Sequence, residues 1–474
     1  MTSAPAITLR SYQVGAIEGV RQAFRDGRRA PLLVAPTGAG KTVMFSFVAA
    51  NAAARGKRVL ILAHRTELIR QASRKLTEAG VQHGIIAPGF TPTRDLVQVA
   101  SVQTLARRIA SGAQPFDLIV VDEAHHAIAG QWRTVAEAYP EARMLGVTAT
   151  PERLDGRGLG VAAGGCFDAM VMGPTVAELV AGGFLTPTRI FAPAEAPDLS
   201  GIRTRGGDFD AGGLGETMGQ AKLVGDAVDH YRRYASGLPA ILFSPSVAHA
   251  EQMAGAFRDA GFTAFAASGN TLASERDGAI AGLAKGTLQV LCSCDLISEG
   301  LDVPVVGCVI LMRPTKSLGL YLQQVGRGLR PAPGKTHLIV LDHAGNTLRH
   351  GPPEMMRDWS LEGRAKRKKG DAEPTPPARQ CVECFAVHAP APKCPDCGFV
   401  YPVQSRELEH VAGELSDVTD DLAAKFGRHL PLKDVLAKAT DSDLKLIAKA
   451  RGFKPGWVWY QRQQRQAARQ EQMA

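Results

Sequence analysis

No stretch of the chain reaches the run of about 18 apolar residues that a bilayer-spanning helix needs, so no membrane segment is expected. The opening residues, Met1-Thr2-Ser3-Ala4-Pro5, lack the basic start and apolar core of a secretory leader, which predicts a cytoplasmic protein. Cysteine is scarce as well, eight in 474 residues, and its spacing gives no disulfide framework. Cys166, Cys292, Cys294 and Cys308 are scattered among apolar neighbours and read as core thiols, whereas the other four cluster near residue 390. No internal repeat at a fixed period is visible. Neither sign of charge dominates: 55 Lys and Arg against 46 Asp and Glu leave +9. That balance leans toward a polyanionic partner without requiring one. The apolar share of 45% is that of a globular chain too long for one core, so about two to four domains are expected.

From Pro31 to Val147, short β-branched or Leu-rich runs alternate with helical stretches rich in Ala and Leu. The runs are 32–35, 58–63, 96–101, 118–121 and 143–147, a rhythm that implies βαβ units around a buried parallel sheet. A second series follows Gln220, with strands expected at 240–244, 263–266, 289–293, 305–311 and 337–341. Between the two series, Pro187, Pro193, Pro197, Gly206-Gly207 and Gly212-Gly213 signal a connection with a flexible insertion.

Pro36-Thr37-Gly38-Ala39-Gly40-Lys41-Thr42 follows an apolar run and opens a helix-like segment. A Gly-rich turn at a helix N-terminus offers backbone N–H groups to a polyphosphate, with Lys41 adding charge and Thr42 a hydroxyl for Mg²⁺. Asp122 and Glu123 end the apolar run 118–121 and supply what the loop lacks. One carboxylate serves the metal, Asp122, and one the attacking water, Glu123. Binding and hydrolysis of a nucleoside triphosphate is the implied chemistry. His125 and His126 carry no clear role on their own.

With these motifs and others in order, residues 7 to 345 resemble a superfamily 2 helicase or translocase of the DEAH-like kind. Arg10 and Gln13 lie in a segment similar to the family's adenine-recognition motif, where a carboxamide both donates and accepts. His64, Arg65 and Thr66 match motif Ia, and Gln103 and Thr104 match motif Ib, which in the family border the strand-binding groove. Residues 147–151 match motif III, Ser244 falls in motif IV, and residues 294–304 resemble motif V. Within motif V, Cys294 replaces a common Thr, and Asp302 matches the position associated with the nucleotide ribose. Gln323, Arg327 and Arg330 match motif VI. A planar guanidinium suits the charge that develops on a transferring phosphoryl group. Spacing of three on a helical turn would let both arginines face one cleft, with Gln323 helping to position the water. The resemblance implies two tandem RecA-like α/β domains closing on ATP and Mg²⁺. Residues 150–156 and the four-Cys module further resemble the bacterial RadD (YejH-type) group of DNA-repair helicases and phage relatives.

Cys381-x₂-Cys384 and Cys394-x₂-Cys397, nine residues apart, place four thiolates at tetrahedral reach for structural Zn²⁺. An iron–sulfur cluster is the rival reading, and His388 is a spare ligand. The resulting organisation is a first RecA-like domain at 1–182, a connection at 183–219 and a second RecA-like domain at 220–350. A basic Pro-rich linker at 351–380, a zinc module at 381–402 and a helical C-terminal segment at 403–474 complete it. The linker's basic run, Arg364–Lys369, reads either as a phosphate-backbone contact or as a solvated charge run. Trp457, Trp459 and Tyr460 read as the core of a small helical module, with base stacking as the other reading. The expected activity is ATP-dependent translocation on nucleic acid, DNA before RNA, by a monomer that recruits a protein partner through its tail. The rival readings are an RNA helicase and a non-catalytic clamp.

Overall fold

The computed structural model describes residues 7–109, 114–126, 130–153, 156–192, 199, 201–205, 208–210, 214, 218, 221–294, 303–363, 378–401, 432–454 and 456–473. The chain divides into two compact units, Met1–Tyr401 and Pro402–Ala474.

Strands covered on both faces need no polar side, and the apolar runs use this. Among the described residues of the first lobe, seven strands form one parallel sheet. They are β1 (Pro31–Val34), β2 (Val59–Ala63), β3 (His83–Ile86), β4 (Val97–Ser101), β5 (Leu118–Asp122), β6 (Arg143–Thr148) and β7 (Ala169–Met172). Their order is β3-β4-β2-β5-β6-β1-β7. Every position of β2 and β5 is buried, and truncating one such Leu or Ile to Ala costs about 2–5 kcal/mol. The helices of this lobe are α1 (Ser11–Arg25), α2 (Lys41–Ala53), α3 (Thr66–Glu78), α4 (Val102–Ile109), α5 (Gly130–Ala138) and α6 (Val176–Ala181).

The second lobe repeats the plan with β8 (Thr188–Phe191), β11 (Ala240–Phe243), β12 (Ala264–Ala267), β13 (Val290–Ser293), β14 (Cys308–Leu311) and β15 (Leu338–Asp342). A small hairpin of β9 (Thr204–Arg205) and β10 (Asp208–Phe209) lies outside the sheet. Two further strands, β16 (Arg379–Gln380) and β17 (Ala386–His388), bring the order to β12-β13-β11-β14-β15-β8-β17-β16. Its helices are α7 (Ala221–Tyr234), α8 (Val247–Asp259), α9 (Ala273–Lys285), α10 (Leu318–Gly326) and α11 (Asn346–His350). Two tandem RecA-like parallel sheets are therefore the architecture.

Several features escape the sequence rhythm, beginning with the edge strands β3 and β7, which fall outside the five apolar runs and are only partly buried. Strand β8 lies inside the stretch read as connection, because its four residues are bracketed by Pro187 and Pro193 and look like loop. Residues 351–363, read as the start of the linker, pack on both lobes, with Glu354 accepting the Thr188 N–H of β8 at 3.0 Å. Trp359 and Leu361 pack on the core of the first lobe, and the Leu361 carbonyl accepts the Gly160 N–H at 2.7 Å. The basic run Arg364–Lys369 lies outside the described residues.

In the second unit, α12 (Leu432–Lys438), α13 (Asp443–Arg451) and α14 (Gly456–Met473) form a helical segment around Val435, Leu444 and Ile447. Trp457 stacks on Phe453 with 4.6 Å between ring centroids. Trp459 and Tyr460 instead stand exposed, so only one of the three aromatics serves the interior. No described helix is long and apolar enough to cross a membrane.

Candidate active site

Strand β1 delivers the Gly-rich turn to the carboxyl edge of its sheet, where ligands of doubly wound folds sit. Gly40 precedes α2 with φ of 77°, a left-handed conformation that favours glycine. Gln13 is buried beside it. Its Oε1 accepts the Arg10 N–H at 3.0 Å, closing the first turn of α1, and its Nε2 donates to the Ala39 carbonyl at 3.2 Å. The Tyr12 hydroxyl donates to the same carbonyl at 3.2 Å. Tyr12 also meets Phe184 edge-on at 5.0 Å, and the Arg10 guanidinium lies 4.8 Å above that ring.

Lys41 is buried at the start of α2, its Nζ donating to the Ala35 and Pro36 carbonyls at 3.1 and 3.4 Å. Burial pushes its pKa down, Glu123 and Asp122 pull it back up, and Arg327 and Arg330 push it down again. Thr42 sits half-buried in the first turn of the same helix. The loop and the acidic pair thus share one electrostatic environment with two arginines of the other lobe.

Asp122 ends β5, and its Oδ1 accepts the Glu123 N–H at 2.9 Å. Glu123 has φ of 47°, a strained backbone for a residue with a side chain. Its Oε2 is buried without a hydrogen bond, 3.5 Å from His125 Nδ1. The same Nδ1 lies 3.1 Å from Thr148 Oγ1, which donates to the Thr150 carbonyl at 2.8 Å. On the other side of the ring, Gln323 Nε2 reaches His125 Nε2 at 3.3 Å. Gln323 is therefore held by His125. The His125 ring lies tilted against His126, and His126 against His64, each pair with 4.2 Å between centroids.

The helix expected to carry both arginines is shorter than the spacing suggested: α10 stops at Gly326. Gly328 is packed against Leu338, where a Cβ would stand 2.4 Å from Cδ1, and Pro331 follows, so the helix cannot continue. Arg327 occupies the C-cap and Arg330 the turn beyond it. The turn nonetheless faces the first lobe. A Cβ on Gly326 would stand 2.5 Å from Thr37 Cβ, and one on Gly38 would stand 3.9 Å from Arg330 Cγ.

His64, Arg65 and Thr66 follow β2, and Gln103 and Thr104 follow β4, so the two groups are neighbours at one sheet edge. Gln103 Nε2 donates to the His64 carbonyl at 3.2 Å and Ser101 Oγ to Gln103 Oε1 at 2.7 Å. The Thr104 N–H donates to Ser101 Oγ at 3.4 Å. Beside them Glu67 pairs with Arg276 of α9 at 3.1 Å, an ion pair between the lobes. Ser244 is set apart: it is 1% exposed, with its hydroxyl 3.2 Å from His249 Nδ1. Asp302 lies outside the described residues.

The four sulfurs of Cys381, Cys384, Cys394 and Cys397 lie within 4.8 Å of one another. The Cys381–Cys397 and Cys384–Cys394 separations are 3.6 and 3.7 Å. A tetrahedral zinc with ~2.3 Å bonds needs ~3.8 Å between sulfurs, so the cluster is compatible with that ion. Each knuckle closes on a left-handed residue, Phe385 (φ 60°) and Gly398 (φ 80°). Their N–H groups donate to the Cys381 and Cys394 carbonyls, both at 3.0 Å. His388 lies outside the cluster, its Nε2 2.8 Å from the Tyr401 hydroxyl. The module is built into the second lobe, because β17 pairs antiparallel with β8 and Arg189 meets Asp396 at 2.7 Å.

Sequence reasoning left His125 and His126 unassigned and passed over Tyr12 and Phe184. His125 follows the acidic pair directly, so its place in the motif was the available signal. Phe184 comes from a distant segment and carried none.

Residues 6–153 match the family described as type III restriction enzyme, res subunit, and residues 223–332 the helicase conserved C-terminal domain. A 51.5 kDa protein of a Lactococcus phage (isolate 7-9) is 33% identical over 417 residues, covering 86% of this chain and 88% of its own. IRC3 of Saccharomyces cerevisiae, a protein named for an assigned ATP-dependent helicase activity, is 30% identical over 365 residues. That alignment covers 72% of this chain and 52% of the yeast protein, so this chain spans about half its length. Among solved structures, a fragment assigned as the HsdR subunit of a Vibrio vulnificus type I restriction enzyme superposes with a TM-score of 0.58 at 22% identity. It covers 73% of this chain and 66% of that fragment, and it supports the fold alone. With both helicase segments present in order over more than half its length, the chain belongs to superfamily 2 of the helicases, a class of nucleic-acid-dependent ATPases.

Proposed function

We propose that the protein is an ATP-driven DNA translocase whose two lobes share one triphosphate. The observation that carries the reading is the approach of the Gly326–Arg330 turn to Thr37 and Gly38, with Arg327 and Arg330 both acting on buried Lys41. In this reading residues 36–42 cradle the phosphates, Arg10 and Gln13 flank the base, and Asp302 meets the ribose. Thr42 and Asp122 would hold Mg²⁺, which when bound supplies positive charge to the phosphates. The chain's own groups do the rest. Glu123 orients a water and takes its proton, His125 and Gln323 fix that carboxylate's surroundings, and the two guanidiniums neutralise charge as the phosphoryl group transfers. His64, Arg65, Thr66, Gln103 and Thr104 contact the nucleic-acid backbone. Ser244, with its hydroxyl held by His249, is left out of that contact set.

DNA is favoured over RNA because the matching family is a restriction-enzyme subunit. A repair role of the RadD kind rests on the four-Cys module and the short segment 150–156, and Cys381, Cys384, Cys394 and Cys397 are proposed to hold structural zinc. Monomeric, cytoplasmic action and a protein partner for the tail complete the proposal. The deciding measurement is ATP turnover with single-stranded DNA, forked DNA and matched RNA, with zinc content determined on the same sample. DNA should stimulate at least tenfold more than RNA, about 1.4 kcal/mol. Glu123→Gln should abolish the stimulation, and full stimulated turnover in that variant would overturn the proposal.

A further inference from the structure

Lys335 is half-buried behind the arginine turn and belongs to none of the motifs. Its ammonium has three protons to donate, and three carbonyls accept them. Nζ bonds the Arg330 carbonyl at 2.7 Å, the Pro304 carbonyl at 3.3 Å and, closely, the Gly328 carbonyl. Gly328 and Arg330 are the turn that leaves α10, and the end of a helix exposes carbonyls that need partners. Pro304 closes the segment that follows Asp302, so one side chain joins the ends of two motif segments. The turn has a second anchor, the Thr186 N–H donating to the Leu329 carbonyl at 2.7 Å. Thr186 and Lys335 together hold the three successive carbonyls of Gly328, Leu329 and Arg330.

From this arrangement we infer that Lys335 is a positioning residue, aiming the Arg330 guanidinium at the phosphate loop by holding the carbonyl of the same residue. The inference rests on the proposed role of Arg330. A cation in this place is costly: burial and the neighbouring Arg330 bring the Lys335 pKa down to about 8. The carbonyls it organises, rather than an ion pair, offset that cost. A methyl group at the same reach would leave the three oxygens without this donor and the turn held by the Thr186 contact alone.

The test is steady-state, DNA-stimulated ATPase of the full chain carrying Lys335→Met, Lys335→Arg, Arg330→Ala, or Lys335→Met with Arg330→Ala. Lys335→Met should lower kcat about tenfold, a change equivalent to about 1.4 kcal/mol, while KM for ATP stays within twofold. Lys335→Arg, which keeps the charge and the donors, should recover most of kcat. In the Arg330→Ala background, Lys335→Met should cost less than twofold more, because residues acting through one another are not additive. Equal losses in both backgrounds, or a loss confined to KM and thermal stability, would overturn the inference. A fully active Arg330→Ala protein would instead overturn the shared-triphosphate reading, leaving a distinct signature.

Discussion

The two lobes start from the same frame, a parallel sheet with helices on its faces, and put different chemistry on its edge. In the first, strand ends carry the Gly-rich turn, the acidic pair and His125, which lies beside Glu123. In the second, the corresponding edge carries backbone nests. Asp342, at the end of β15, accepts the N–H groups of Ala344 and Asn346 at 3.2 and 3.1 Å. Burial raises the Asp342 pKa, and those hydrogen bonds oppose the rise. One lobe thus carries reactive side chains at its strand ends, while the other spends Asp342 on holding the start of α11. Under the proposed function, a site divided this way would be complete only when the lobes meet, tying turnover to their relative motion.

The largest break in that comparison comes from preventing the meeting. Gly326→Val leaves α10 intact but drives a side chain into Thr37 of the other lobe. DNA-stimulated kcat should fall at least 100-fold, about 2.7 kcal/mol, with ATP binding to the first lobe changed less than threefold. Equilibrium binding of a fluorescent nucleotide beside turnover separates the two. A variant with normal turnover would mean that the close approach of Gly326 to Thr37 is not needed.

A smaller effect distinguishes the second lobe by acid. His343 is buried after β15, and desolvation, helped by neighbouring His230, brings its pKa down to about 3. The folded protein therefore keeps this ring neutral where the unfolded chain, with an ordinary His near 6.5, takes up a proton. Stability from the neutral ring is present above the unfolded value and is lost as pH falls toward the folded one. Between pH 7 and pH 5 the loss should be about 2 kcal/mol, and His343→Gln should remove that part of the slope. Urea unfolding at the two pH values measures it.

The smallest sharpening concerns the ion pair across the lobes. Glu67 is more than one-third exposed in its pair with Arg276, so Glu67→Gln should change stability by less than about 1 kcal/mol. Its effect should instead appear in the salt dependence of DNA affinity, because Arg276 is then free for a phosphate. An unchanged salt slope would mean that the pair does not compete with the strand.

How far the sequence could be read differs sharply between elements. The central strands of both sheets were legible because fully buried strands are written as continuous apolar runs, whereas the partly buried edge strands β3 and β7 were not. The phosphate loop was legible because its glycines and lysine are adjacent in the chain. Strand β8 was hidden by flanking prolines, and the α10 boundary by a motif spacing that suited a helix equally well. Ser244 looked available for contact at a strand end until the fold turned it toward His249. Exposed Trp459 and Tyr460 show the reverse case, apolar residues that read as interior and lie outside it.

Sequence alone determined the tandem α/β plan, the nucleotide chemistry of the first lobe and the four-sulfur cluster, since each depends on residues close together along the chain. Tertiary structure alone decided that Gly326 rests on Thr37, that His125 joins Glu123 to Gln323, and that Lys335 holds the arginine turn. The Gly326–Thr37 and His125–Gln323 contacts bridge segments far apart in the chain and arise only where the two lobes pack, while Lys335 reaches back five to seven residues to carbonyls that the end of α10 exposes.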